Sequence, residues 1–143
     1  MKTAVVFVSL LLYGISLANP VFYFVDTKIP ISEPDIYSGI LVLFIGWLGA
    51  LMLQFGWYAN IPYLMSLVFV LMRKQESAIV YSAAALFIGI TNTIWLFYQR
   101  IPGGAGNTDM RLQHLERGYY FWITALIIPF VWSAFRYLYS KPR

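Results

Sequence analysis

Four long stretches without a charge dominate the chain. Residues 3–25, 36–72, 77–99 and 118–135 contain no Asp, Glu, Lys or Arg and run to 23, 37, 23 and 18 residues. An α-helix rises about 1.5 Å per residue, so about 20 apolar residues cross a hydrocarbon core roughly 30 Å thick. Three of the stretches match one crossing each. The longest would reach about 55 Å as a single helix, so it must fold back.

The fold-back is read at Gly56-Trp57-Tyr58-Ala59-Asn60-Ile61-Pro62. Gly56 suits the left-handed end of a helix, Asn60 suits the N-cap of the next, and Pro62 falls in its first turn, where a missing N–H costs nothing. The pattern predicts helices near 4–24, 37–55, 60–73, 77–98 and 118–137. The fold class is all-α: a single domain over 1–143, a polytopic membrane helix bundle of about five transmembrane helices. Pro129 in the last helix should free a carbonyl that a neighbouring helix must satisfy. The first segment has a rival reading. Lys2, an apolar run, and Ser16 and Ala18 before Asn19 resemble a cleaved signal peptide, which would leave four helices. Against cleavage, the apolar character continues past Pro20 into Val21-Phe22-Tyr23-Phe24-Val25.

Composition agrees with a lipid solvent. The chain is 60% hydrophobic and 11% charged, where soluble domains hold about 45–50% and 25%. The net charge of +4 comes from scattered Lys and Arg with no basic patch, so nucleic acid is not an expected partner. With five crossings, Lys28, Arg73, Lys74, Arg136, Lys141 and Arg143 face Lys2, Arg100, Arg111 and Arg117 across the membrane. That margin favours a cytoplasmic C-terminus, although Lys2 at the start of the first helix argues the opposite. Cysteine is absent, which removes disulfides, thiolate metal sites and cysteine nucleophiles.

Candidate chemistry is sparse. All six carboxylates, Asp26, Glu33, Asp35, Glu76, Asp109 and Glu116, fall in loops or at span ends. Ion-coupled transport usually needs one at depth. The single histidine, His114, has Asp109 and Glu116 nearby in sequence but no second His or Cys to complete a metal site or triad. No catalytic residue, cofactor or metal is expected, and the chain reads as not an enzyme. The loop 100–117 opens with a glycine-rich run that lacks a phosphate-loop ending. Its second half is read as a short surface helix with Met110, Leu112 and Leu115 facing lipid.

The polar residues expected at depth are Gln54, Thr91, Asn92 and Thr93, as interhelical hydrogen bonds or the lining of a polar pathway. Small residues point to close helix packing: Gly46 with Ala50, and Ala85, Gly89 and Thr93 at four-residue spacing, continued by Ala78 and Ser82.

Three short motifs, Gly46-Trp47, Trp57-Tyr58-Ala59-Asn60 and Gly118-Tyr119-Tyr120-Phe121-Trp122, resemble those of a group of small uncharacterised bacterial multi-pass membrane proteins. The likeness covers roughly residues 38–135. In that group Asn is followed directly by Pro, whereas Ile61 intervenes here. The resemblance implies a bacterial cytoplasmic (inner) membrane location and no activity. The leading expectation is a non-enzymatic membrane protein acting through helix contacts, as a subunit, regulator or immunity-type protein. Its partners would be the lipid bilayer and a membrane protein or second copy. The alternative is a passive channel or small-solute carrier lined by Gln54, Thr91, Asn92 and Thr93, which requires those groups to converge on one cavity.

Overall fold

The computed structural model describes residues 1–28, 33–102 and 109–140. Helices α1 (Lys2–Leu17), α2 (Gly39–Ile45), α3 (Asn60–Leu71), α4 (Gln75–Tyr98) and α5 (Arg117–Ser140) make most of the chain. A 3-10 helix, Gly46–Met52, continues α2, and a second, Gly56–Ala59, leads into α3. The remainder forms a small sheet of β1 (Pro20–Asp26), β2 (Asp35–Ser38), β3 (Ile101–Pro102) and β4 (Asp109–Leu115), in the order β2-β1-β4-β3 with antiparallel pairing throughout. The chain is therefore mostly helical but not all-α. Two helices, Gln75–Tyr98 and Arg117–Tyr139, are long and apolar enough to cross a membrane; α1, α2 with its 3-10 extension, and α3 with its 3-10 lead are apolar but shorter.

The strands replace two expected features. The first predicted span stops at Leu17, because Pro20 cannot continue a helix and instead opens β1. The surface helix expected at 109–117 is β4. Met110 and Leu112 are buried on one face, while Arg111 between them and Gln113 after them are exposed, a period of two that only a strand provides. A register shift between Tyr23 and Phe24 opposite β4 then brings Leu115 beside Phe22. The glycine-rich run at 103–108 lies outside the described residues.

The sheet also fixes which helix ends lie together. β1 leaves α1, β2 enters α2, β3 leaves α4 and β4 enters α5, so these four junctions share one end of the bundle. Five crossings would put residues 25–36 and 99–117 on opposite sides, yet β1 pairs directly with β4. The second predicted span accounts for the difference. Gly39 donates its N–H to Asn19 and packs on Ser16 and Leu17 at the end of α1. Fifteen residues later the Gln54 amide donates to Gln99, just past the end of α4. The segment from α2 through the 3-10 helix thus begins and ends at the sheet. Helices α1, α3, α4 and α5 run to the far end, where Lys2 Nζ donates to the Leu71 carbonyl at 2.6 Å.

The turn itself differs from its expected form. Leu53, with φ 58°, takes the left-handed position that ends the 3-10 helix, and Asn60 makes no N-cap bond because helical structure already precedes it. Pro62 does sit in the first turn of α3. Gly46 and Ala50 do not share a helix face, since the chain turns every three residues from Gly46 onward.

The helix interfaces combine apolar side chains such as Leu67, Val70 and Leu126 with small and hydroxylated residues. The buried polar residues are hydroxyls on helices: Ser9, Ser16, Ser66, Ser82, Thr93 and Ser133. Beside them lie Ala59, Ala78, Ala85 and Ala125, while Phe7, Phe44, Leu51 and Phe87 stand 64%, 70%, 84% and 70% exposed. Pro129 is buried inside α5. The carbonyl four residues before it, on Ala125, accepts a hydrogen bond from Ser9 of α1 at 2.8 Å. That is the interhelical repair the proline requires.

Candidate functional site

At the sheet-bearing end, a cavity of about 290 Å³ lies between the helices and the sheet. Its walls are mostly apolar, with contributions from α1, β1, the α2 and 3-10 segment, α4 and the first turns of α5. Tyr37 on β2 also lines it. Burial pushes the Tyr37 phenol above its ordinary value and Asp35 adds to the rise, so it stays a neutral hydroxyl.

Three of the four polar candidates reach this cavity. Gln54, Asn92 and Thr93 line it; Thr91 does not, being exposed on the outside of α4 with its hydroxyl bonded to the Phe87 carbonyl at 2.6 Å. The three are already engaged. Thr93 donates to the Gly89 carbonyl at 2.7 Å, and Gln54 to Gln99. The Asn92 carbonyl oxygen accepts the Gly56 N–H at 2.7 Å. Its Nδ2 donors have no partner among the described residues.

The packing candidates are spent inside the chain. Ala85 is fully buried, and a Cβ on Gly89 would lie 2.7 Å from the Trp122 ring. A Cβ on Gly46 would lie 2.7 Å from the Trp57 ring, and Ala50 sits half-buried in the 3-10 helix. Ala78, Ser82, Ala85, Gly89 and Thr93 form one buried face of α4. No small-residue stripe remains free on that helix.

The aromatic motifs converge on the same wall. Trp122 Nε1 donates to Asn60 Oδ1 at 3.0 Å, Asn60 Nδ2 to the Trp57 carbonyl at 2.8 Å, and Trp57 Nε1 to the Leu43 carbonyl at 2.8 Å. Tyr58 reaches the Trp47 carbonyl at 3.1 Å. These tethers join α5, the start of α3 and α2. Sequence reasoning read Asn60 as an N-cap and missed the link through it to Trp122 and Trp57. The available signal was a carboxamide one turn into an apolar helix, which must find partners when buried.

His114 lies elsewhere, exposed on β4, stacked on Tyr23 at 4.3 Å and bonded to Glu116 at 3.0 Å. Asp109 pairs instead with Lys28 at 3.2 Å. Among the described residues no group of three His, Cys, Asp or Glu side chains could hold a metal ion. Comparison with protein-family models, curated proteins and solved structures returns no match.

Proposed function

We propose that the chain is an integral membrane protein without catalytic activity, which holds a small, mainly apolar solute in the cavity at its sheet-bearing end. The membrane reading is supported by the exposed Phe, Leu and Ile side chains carried on every helix. In water those faces would be a large unfavourable surface; in hydrocarbon they cost nothing, and the backbone is satisfied within each helix. Four crossings, α1, α3, α4 and α5, fit the pairing of β1 with β4, with the α2 segment re-entrant from the sheet side. Helix α1 spans about 24 Å and α3 with its 3-10 lead about 26 Å, short enough to thin the bilayer locally or to rely on Lys2 and Arg73 at their ends.

This arrangement removes the conflict over orientation. Lys2, Arg73, Lys74 and Arg136 now share an end, followed in sequence by Lys141 and Arg143, against Lys28, Arg100, Arg111 and Arg117 at the sheet. The far end is then cytoplasmic. A bacterial inner membrane is the location the motif resemblance suggests.

The carrier or channel reading is supported by Gln54, Asn92 and Thr93 sharing one cavity. An apolar cavity of about 150 Å³ takes benzene; this one is about twice that size. Because Trp57 and Trp122 line it, a bromoalkanol titrated into the detergent-purified protein should give a saturable component of tryptophan quenching. Val42→Phe should abolish that component and Asn92→Ala weaken it. Quenching that stays linear and identical in all three proteins would remove the reading. The subunit, regulator or immunity-type reading keeps the exposed face of Ile40, Leu41, Phe44, Leu48 and Leu51. It would need a stoichiometric partner or a homo-oligomer recovered in mild detergent.

A further inference from the structure

The opposite end of the bundle holds a second cleft, of about 410 Å³, lined by Lys2 of α1, Arg73 from the turn between α3 and α4, Gln75 of α4, and Trp132 and Arg136 of α5. Four segments bring three cations to one place. No carboxylate lines it, and among the described residues no carboxylate pairs with any of the three. Glu76 follows Gln75 but does not reach the lining. Like charges gathered this way repel unless a counter-ion sits between them.

The fold engages Lys2 and Arg136 through their side chains and fixes the backbone that carries Arg73. Lys2 is anchored on the Leu71 carbonyl at the end of α3. Arg136 lies 6.0 Å from the Trp132 ring centroid. Arg73 occupies the left-handed residue after α3, φ 63°, with its N–H on the Val70 carbonyl and the Lys74 N–H on the Phe69 carbonyl. That double closure usually takes glycine; an arginine there accepts backbone strain while projecting a guanidinium at the helix junction. The Gln75 side-chain oxygen Oε1 is buried in the same lining without a hydrogen-bond partner, an acceptor open only to donors such as the neighbouring cations, while the Trp132 indole N–H has no protein acceptor among the described residues.

We infer that this cleft binds a phosphate-bearing anion, either the headgroup of an anionic phospholipid or free phosphate. Two guanidiniums offer the planar forks that match phosphate oxygens, Lys2 adds a point charge, and Trp132 supplies the amphipathic ring found at headgroup level. Basic clefts between helices at a cytoplasmic membrane face take lipid headgroups by this chemistry. The headgroup source rests on the membrane reading; the anion site does not.

The test uses the full chain in dodecyl maltoside, titrated separately with phosphatidylglycerol, phosphatidylcholine and inorganic phosphate, and read by thermal unfolding and native mass spectrometry. A bound phosphatidylglycerol and a raised Tm, with neither from phosphatidylcholine, support the headgroup as occupant. An equal shift with inorganic phosphate supports the free anion. Arg73→Gln with Arg136→Gln should weaken binding roughly 30-fold, while Arg73→Lys with Arg136→Lys, which keeps the charge but loses the forks, should weaken it by less. Indifference to the headgroup and to phosphate, or binding unchanged in the double Gln protein, overturns the site. Should the double variant fail to fold, Arg136→Gln alone must still lower affinity. Saturable bromoalkanol quenching at the other end is unaffected by these variants, so failure here is separable from failure of the solute cavity.

Discussion

The Ser9 hydroxyl donates to the Ala125 carbonyl at 2.8 Å, and that carbonyl is the one Pro129 leaves without its helical partner. Because the serine proton is committed there, the Tyr63 hydroxyl must be the donor in its 2.8 Å contact with Ser9. Three helices, α1, α3 and α5, thus meet at one fully buried hydroxyl.

Ser9→Ala leaves both the Ala125 carbonyl and the Tyr63 hydroxyl unpaired, and should cost about 1–3 kcal/mol. Tyr63→Phe removes only one bond and should cost about 0.6 kcal/mol. In a Pro129→Ala background, the restored N–H satisfies Ala125 from within α5, so the cost of Ser9→Ala should fall by half or more. Equilibrium unfolding in mixed micelles reads all three; strictly additive losses would contradict the repair.

Gly56 and Asn92 form a second coupled pair. A Cβ on residue 56 would lie 2.9 Å from the Asn92 oxygen that takes its N–H. Gly56→Ala should destabilise by about 1–3 kcal/mol, and Asn92→Ala by about 1 kcal/mol. The double variant should cost less than their sum, since removing the carboxamide clears the space. A double-mutant cycle with no coupling would show that the contact is incidental.

Trp122 and Gly89 make a steric counterpart. Gly89→Ala drives a Cβ into the Trp122 ring and should cost about 1–3 kcal/mol. Trp122→Phe loses the bond to Asn60 but shrinks the ring, so it should rescue part of the Gly89→Ala loss. Melting temperatures of the four proteins decide it.

The absence of cysteine permits single-cysteine mapping in intact vesicles. Glu33→Cys and Gln113→Cys should react with an impermeant maleimide from the same side, and Lys74→Cys from the other. Labelling of positions 33 and 113 from opposite sides would restore five crossings and rule out the β1–β4 pairing.

The later helices were legible because α4 and α5 are long apolar tracts bounded by charged residues, and α3 runs from the turn at Gly56 to Arg73 and Lys74. Predicted 60–73, 77–98 and 118–137 became Asn60–Leu71, Gln75–Tyr98 and Arg117–Ser140. The carbonyl freed by Pro129 was also readable, because proline chemistry is local. β1 was hidden because Val21-Phe22-Tyr23-Phe24-Val25 is apolar on both faces, and such a run has no period to separate strand from helix. Its warning was Asn19-Pro20, which favours extended backbone. β4 carried a plain alternation at Met110 and Leu112, obscured by reading Leu115 as part of the same stripe. For the cavity, Gln54, Asn92 and Thr93 stood out as polar residues in apolar tracts. Whether Thr91 or Thr93 turned inward depended on helix rotation, and the link from Trp122 to Asn60 joins residues 62 apart. Only tertiary structure decides such matters.

The pairing of β1 with β4 has a consequence for how the protein is made. A ribosome delivers α1 and β1 well before the strand that closes on β1 and the helix whose bare carbonyl awaits Ser9. These earlier elements must therefore wait, half-partnered, while the intervening helices are made. A chain stopped before residue 109 would leave α1 without α5, whose Ala125 carbonyl takes the Ser9 hydrogen bond.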